Sequence, residues 1–238
     1  MNPAEIHEGY FAYHCVPLVK GMRLNNVRGY FLMADDSVFN IWQRIDYSKV
    51  HHTRGITHEN SSMWWDGEYG LKAAENILKT IENNTDPKIS KAWKQFEKGL
   101  KKHGYLKNKE TVNNEMTSKK GRSISDFYYI PTSKIDYYAT LMRLFYDNEF
   151  FIELAINRFL KSVNYETPLA RNTSYLWGDD RLKWYELYNP NVVVMHPIKA
   201  SQFKIPSETR KRYCGSVLQT WSDILFHGAR NFITKMGD

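Results

Sequence analysis

The sequence has few features of disulfide scaffolds or membrane proteins. Its 238 residues include two cysteines, Cys15 and Cys214, too few for a disulfide framework and without the paired spacing of a zinc site. No uncharged apolar run approaches the roughly 20 residues of a membrane span. The first ten residues carry two glutamates and no apolar stretch, so we expect no signal peptide there. These absences predict a chain that neither spans a membrane nor depends on disulfides.

Several motifs that define large enzyme classes are also missing. The chain contains no GxGxxG, P-loop, GxSxG or HExxH pattern. Each of these motifs carries a specific chemistry, from dinucleotide binding to zinc-dependent hydrolysis. Dinucleotide-binding dehydrogenases, P-loop NTPases, α/β-hydrolases and zincins are therefore not expected.

The charge balance is basic, but the excess is local. The formal net charge is +7, and residues 98–122 carry eight basic and two acidic side chains, which account for +6 of it. A solvated segment explains this concentration better than a basic face, and no zinc-finger or RNA-binding signature is present. We therefore predict no nucleic-acid partner and a single domain over residues 1–238, with a basic, flexible insertion loop at about 98–122.

The hydrophobic patterns predict strands interspersed with helices. Residues 28–33 form a short apolar run typical of a strand that is buried on both faces, and residues 191–196 form a second, β-branched strand. Apolar residues at helical spacing predict two helices over about 135–145 and 152–160, separated near Asp147. A further helical stripe closes the chain, from Leu218 to Phe232. This mixture predicts an α/β fold.

Two adjacent carboxylates, Asp35 and Asp36, follow the first predicted strand. In open α/β sheets ligands bind outside the carboxyl ends of strands, and Mg²⁺ or Mn²⁺ often joins one or two protein carboxylates to substrate phosphates. One interpretation is therefore a divalent-metal site. The other is an aspartate cap before a helix that starts near Val38. His196 ends the second predicted strand; if the two strands are neighbours it would complete the metal site or contact a phosphate, and otherwise it is a hydrogen-bonded structural residue.

Three more side chains are candidates for the chemistry. Glu153 lies in the second of the paired helices, where it would act as a general base towards an acceptor hydroxyl. It also recurs at four-residue spacing with Glu149 and Asn157, which is typical of a solvent-facing stripe. Arg171 and Lys199 are candidate phosphate contacts.

Residues 29–42 resemble a motif of the STELLO glycosyltransferase-like proteins of the plant Golgi and their nematode relatives. The stretch reads Gly-Tyr-Phe-Leu-Met-Ala-Asp-Asp-Ser-Val-Phe-Asn-Ile-Trp, and the family pattern is roughly Gly-aromatic-Leu-aromatic-x-x-Asp-Asp-x-x-x-Asn-x-Trp. Residues 126–131, with the helices that follow, resemble a second family segment. Residues 193–197 resemble a third. The matches occur in order and correspond to the C-terminal half of the family.

The resemblance implies a nucleotide-sugar-dependent glycosyltransferase with a GT-A-like mixed sheet flanked by helices, incomplete at the N-terminus. Asp35 and Asp36 would hold Mn²⁺ or Mg²⁺ on the donor diphosphate, and a glycan or protein would be the acceptor. The family is membrane-anchored and faces the Golgi lumen, although this chain carries no span. Three glycosylation sequons, at Asn60, Asn83 and Asn172, permit that compartment. The alternative is a catalytically inactive interaction domain of the same kind in the Golgi.

Overall fold

The structure, a computed structural model, has seven strands and nine α-helices among the residues it describes. The described residues are 9–43, 45–57, 63–64, 67–106, 111–119, 121–167, 173–176, 178–200, 203 and 207–227. The strands are β1 (Gly29–Met33), β2 (Val38–Phe39), β3 (Val50–His52), β4 (Phe127–Pro131), β5 (Tyr165–Glu166), β6 (Thr173–Tyr175) and β7 (Val194–His196). The helices are α1 (Cys15–Gly21), α2 (Glu68–Glu82), α3 (Pro87–Lys102), α4 (Val112–Thr117), α5 (Thr132–Asp147), α6 (Ile152–Lys161), α7 (Trp184–Leu187), α8 (Glu208–Tyr213) and α9 (Gln219–His227).

The described residues divide into two compact units. Unit 1 draws on Met1–Leu32 and Asp46–Pro168, and unit 2 on Met33–Ile45 and Leu169–Asp238. The single domain over residues 1–238 that the sequence indicates stays a prediction.

Unit 1 is built on a mixed four-stranded sheet in the order β1-β4-β3-β5. Strands β3 and β4 run antiparallel with His51 opposite Tyr129, whereas β3 and β5 run parallel with Val50 opposite Tyr165. Helical residues pack with the sheet into one hydrophobic core. This mixed sheet with helices confirms the predicted α/β class and is consistent with a GT-A-like fold.

The prediction that the first strand is buried on both faces is wrong. Strand β1 lies at the edge of its sheet. Tyr30 and Leu32 pack against the core, while Phe31 and Met33 are exposed, because successive side chains in a strand point to opposite faces. A Cβ atom on Gly29 would lie 2.5 Å from the Ile130 carbonyl oxygen, so only glycine fits at the start of this strand.

The paired helices of unit 1 agree with the sequence prediction. Four residues of α5 that share one stripe are buried: Ile135, Tyr138, Met142 and Phe145. Helix α5 ends at Asp147 and α6 begins at Ile152, so the predicted break is confirmed. Across the core, the Tyr138 hydroxyl lies 2.7 Å from the Tyr128 hydroxyl of β4, which joins the first helix of the pair to the sheet.

Part of the segment 98–122, which the sequence indicates as a loop, is helical. Helix α3 continues to Lys102, and α4 begins with a capping box in which Thr111 accepts from the Asn114 backbone N–H. Val112 and Met116 of α4 are buried. Two apolar residues four apart are too few to produce a clear periodic signal, which is why the basic composition dominated the prediction.

Helix α4 is fastened to α6 by a buried ion network. The Glu115 carboxylate lies 2.7 Å from the Lys161 ammonium and 3.5 Å from the Arg158 guanidinium. Arg158 also donates to the Ser118 carbonyl oxygen at 2.7 Å. Arg158 and Lys161 are buried, so two positive charges share one carboxylate in the interior of unit 1.

Unit 2 contains a mixed three-stranded sheet in the order β2-β7-β6. Val38 of β2 lies opposite Met195 of β7 in an antiparallel pair. The helix expected near Val38 is therefore absent from that position, because Val38 and Phe39 pair as a strand instead. Helix α8 continues through a π-helical stretch, Cys214–Leu218, into α9.

The C-terminal stripe is only partly a core face. Val217 and Ile224 are buried, but Leu218 and Leu225 are exposed, and Phe232 lies outside the described residues. Among the described helices of either unit, none is long and apolar enough to cross a membrane.

Candidate functional site

The pairing of β2 with β7 brings Asp36 next to the end of β7. Asp36 lies two residues before β2 in a tight turn closed by a hydrogen bond from the Ser37 N–H to the Ala34 carbonyl oxygen (3.0 Å). The Ile198 N–H donates to the Asp36 carbonyl oxygen at 2.6 Å. This backbone bond extends the strand pairing, so Asp36 lies beside His196 and the residues that follow it.

The Asp36 carboxylate is the centre of a polar cluster in unit 2. Its Oδ1 lies 3.0 Å from His196 Nε2, and its Oδ2 forms an ion pair with the Lys199 ammonium. The side chains of Asp36 and His196 are 11% and 15% exposed, whereas that of Lys199 is 48% exposed. A nearly buried carboxylate, an imidazole and a solvent-reaching cation thus converge from two distant parts of the chain.

The route to this cluster differs from the one that the sequence suggested. The prediction rests on β1 and β7 being neighbours, and these strands belong to different sheets. His196 reaches Asp36 because β2, the strand after the turn, pairs with β7. Asp35, in the same turn, is exposed, and the contacts to His196 and Lys199 are made by Asp36.

Asp36 Oδ1 and His196 Nε2 lie at hydrogen-bonding distance, which is also compatible with two neighbouring ligands of a divalent cation. Two ligands at right angles around Mg²⁺, each about 2.1 Å from the ion, lie about 3 Å apart. Asp36 Oδ1 and His196 Nε2 have this separation. Where the structure describes the chain, no group of three or more His, Cys, Asp or Glu side chains forms a metal site. The residues therefore fit a cation only if phosphate oxygens or water supply the remaining ligands.

A second motif residue, Asn40, connects several segments of unit 2 by hydrogen bonds. The sequence does not predict this role. Its fully buried amide donates to the Val192 carbonyl oxygen at 2.6 Å. Its Oδ1 accepts from the Tyr188 hydroxyl at 2.8 Å and from Trp221 Nε1 at 3.2 Å. Asn40, directly after β2, is thus hydrogen-bonded to residues 188–192, which precede β7, and to Trp221 of α9. The Asn of the Asp-Asp-x-x-x-Asn motif is structural here.

Glu153 lies in unit 1, at the first turn of α6, and is half-buried. Burial, followed by the negative charge of Asp126, raises the pKa of Glu153 to about 8, against the opposing effects of Arg122 and the Ser125 backbone N–H. Near neutral pH this carboxyl is therefore largely protonated, and only its deprotonated fraction could act as the predicted base. The solvent-stripe interpretation is wrong, because Asn157 is completely buried.

The raised pKa of Glu153 predicts a pH-dependent stability. Between pH 4.5 and pH 8 the folded state binds more protons than the unfolded state, so stability falls as the pH rises through this window. We expect the wild-type chain to lose about 4 kcal/mol more than Glu153→Gln between pH 5 and pH 9, measured by denaturant unfolding. Glu149→Gln, at an exposed position, should keep the wild-type pH dependence. An equal pH slope in Glu153→Gln would contradict the assignment.

The two candidate phosphate contacts, Lys199 and Arg171, differ in what the structure describes. Lys199 is in the Asp36 cluster, where it contacts a carboxylate. Arg171 lies outside the described residues. The roles assigned to Glu153, Arg171 and Lys199 stay predictions.

Comparison with known proteins gives one family match. Residues 1–127, slightly more than half of the chain, match the family model described as STELLO glycosyltransferases. No curated protein and no solved structure matches the chain. The matched range includes the turn with Asp35 and Asp36, strand β2 and Asn40.

Proposed function

Because the chain belongs to the STELLO glycosyltransferase family, we propose that it transfers a sugar from a nucleotide-sugar donor to a glycan or protein acceptor. The observation that carries the proposal is the convergence of Asp36, His196 and Lys199. A carboxylate beside an imidazole and a lysine combines oxygen and nitrogen ligands for a cation with a positive charge for phosphate. We propose the donor diphosphate as the group that these side chains bind.

In this proposal each side chain has a distinct part. Asp36 Oδ1 and His196 Nε2 would hold Mn²⁺ or Mg²⁺ together with oxygens of the diphosphate, and Asp35 would contribute from the same turn. The bound cation supplies positive charge that stabilises the departing nucleoside diphosphate. Lys199 would contact a phosphate oxygen as a mobile point charge. The Golgi lumen is the compartment we propose, on the family resemblance.

The general-base role of Glu153, in unit 1, stays a prediction independent of the donor site, and only the deprotonated carboxylate could take the proton of an acceptor hydroxyl.

Isothermal titration tests the donor site. We expect the wild-type chain to bind Mn²⁺ in the presence of one member of a panel of nucleoside diphosphates. Asp36→Asn should weaken this binding at least tenfold and abolish sugar transfer, because the amide removes the charge that attracts the cation. Asp179→Asn, at an exposed position in unit 2, is the matched control and should bind as the wild type does.

The same titration separates the proposal from the alternative of an inactive interaction domain. Heat from Mn²⁺ with a nucleoside diphosphate, lost in Asp36→Asn and kept in Asp179→Asn, supports the enzyme. If no nucleoside diphosphate of the panel binds with or without Mn²⁺, the donor site is rejected.

A further inference from the structure

Both oxygens of the Asp36 carboxylate are engaged, and the two partners differ in exposure. His196 is fixed at the end of β7, and its imidazole is 15% exposed. Lys199 lies beyond the strand, and its side chain is 48% exposed although its ammonium rests on a carboxylate that is only 11% exposed. The lysine thus reaches in from solvent on a flexible four-carbon stem.

The ammonium lies on the second oxygen of the carboxylate that a cation would share with His196. A divalent ion on Asp36 Oδ1 and His196 Nε2 would lie within a few ångströms of the ammonium on Oδ2. Two positive charges at that distance repel each other strongly in a partly buried environment. Lys199 and a divalent cation therefore compete for the single negative charge of Asp36.

We propose that Lys199 is a built-in competitor that makes cation binding depend on the nucleotide. Without nucleotide the ammonium neutralises Asp36 and keeps the affinity for free cations low. A diphosphate carries more negative charge than one carboxylate, so it draws the ammonium from Oδ2 to a phosphate oxygen. The cation then binds between the released carboxylate and the diphosphate. This inference rests on the proposed function and adds the regulation of the same site.

The exchange has a thermodynamic consequence. If nucleotide raises the affinity for the cation by some factor, the cation raises the affinity for nucleotide by the same factor. Lys199 contributes to this coupling because its charge opposes the cation in one state and assists the diphosphate in the other. Removing the charge should therefore strengthen the binding of Mn²⁺ alone and weaken the binding of nucleotide alone.

The test is a titration of Lys199→Met with Mn²⁺ alone, with nucleoside diphosphate alone and with both. We expect the variant to bind Mn²⁺ alone at least threefold more tightly than the wild type. Its nucleotide affinity should fall, and the factor by which nucleotide enhances Mn²⁺ binding should fall at least fivefold. Lys183→Met, which removes an exposed lysine of unit 2, is the matched control and should leave all three titrations unchanged.

The outcomes test the competitor role of Lys199 and the donor site separately. Unchanged or weaker binding of Mn²⁺ alone in Lys199→Met, with nucleotide-dependent Mn²⁺ binding intact in the wild type, overturns the competitor and leaves the donor site standing. A wild-type chain that binds no nucleoside diphosphate overturns both. Circular dichroism checks that Lys199→Met is folded like the wild type. If the methionine perturbs folding, Lys199→Gln takes its place in the same titrations.

Discussion

Glu115→Gln is expected to lower the free energy of unfolding by about 3–5 kcal/mol. The substitution removes the carboxylate that lies 2.7 Å from Lys161 and 3.5 Å from Arg158. Both cations are buried, so the variant removes from the interior the carboxylate that both of them contact. Denaturant unfolding followed by circular dichroism measures the change.

Two variants distinguish this cause from a general loss of contacts. Glu97→Gln breaks an exposed pair with Lys101 (2.9 Å) and should cost no more than about 0.5 kcal/mol. Lys161→Met leaves Arg158 and Glu115 as a balanced pair, so it should destabilise clearly less than Glu115→Gln. A larger loss in Lys161→Met than in Glu115→Gln would show that charge balance is not the cause.

Asn40→Ala is expected to destabilise unit 2 by about 3–5 kcal/mol. The alanine leaves the Val192 carbonyl oxygen, the Tyr188 hydroxyl and Trp221 Nε1 without the partner that each has in the wild type. Each buried polar group left without a hydrogen bond costs about 1–3 kcal/mol. Denaturant unfolding followed by tryptophan fluorescence measures the change, with Trp184 and Trp221 reporting on unit 2 and Trp93 on unit 1.

The neighbouring Asn191→Ala is the control for this prediction. Asn191 is exposed, so its loss should change stability by less than about 0.5 kcal/mol. Asn40→Asp probes the direction of the hydrogen bonds, because a carboxylate oxygen would face the Val192 carbonyl oxygen in place of the amide donor. If Asn40→Asp were as stable as the wild type, the hydrogen bond from Asn40 to the Val192 carbonyl oxygen would not contribute to stability.

The sequence identified those elements whose pattern is strong over many residues. Helices α5 and α6 were predictable because their apolar residues recur at three- and four-residue spacing. Strand β7 was predictable because β-branched residues occur between two prolines. Strand β2 was missed because two paired residues carry no period, and the aspartates before it equally fit a helix cap.

The sequence predicts residues of the candidate site, but not the strand pairing that brings them together. The prediction joins Asp36 to His196 through two neighbouring strands, whereas they meet through a third strand, β2. The ion pair with Lys199 depends on the path of residues 197–199 after β7, which no local pattern encodes. Asn40 and the buried Arg158 were missed because a polar side chain in a sequence gives no sign of burial.

The order of the chain along unit 2 has a practical consequence for dividing the protein. The thirteen residues from Met33 to Ile45 are separated from the rest of unit 2 by more than a hundred positions. A recombinant piece beginning after residue 168 would leave one edge of β7 unpaired and deprive His196 and Lys199 of their carboxylate. Producing unit 2 in isolation would require joining residues 33–45 to it, for example through a linker in place of residues 46–168.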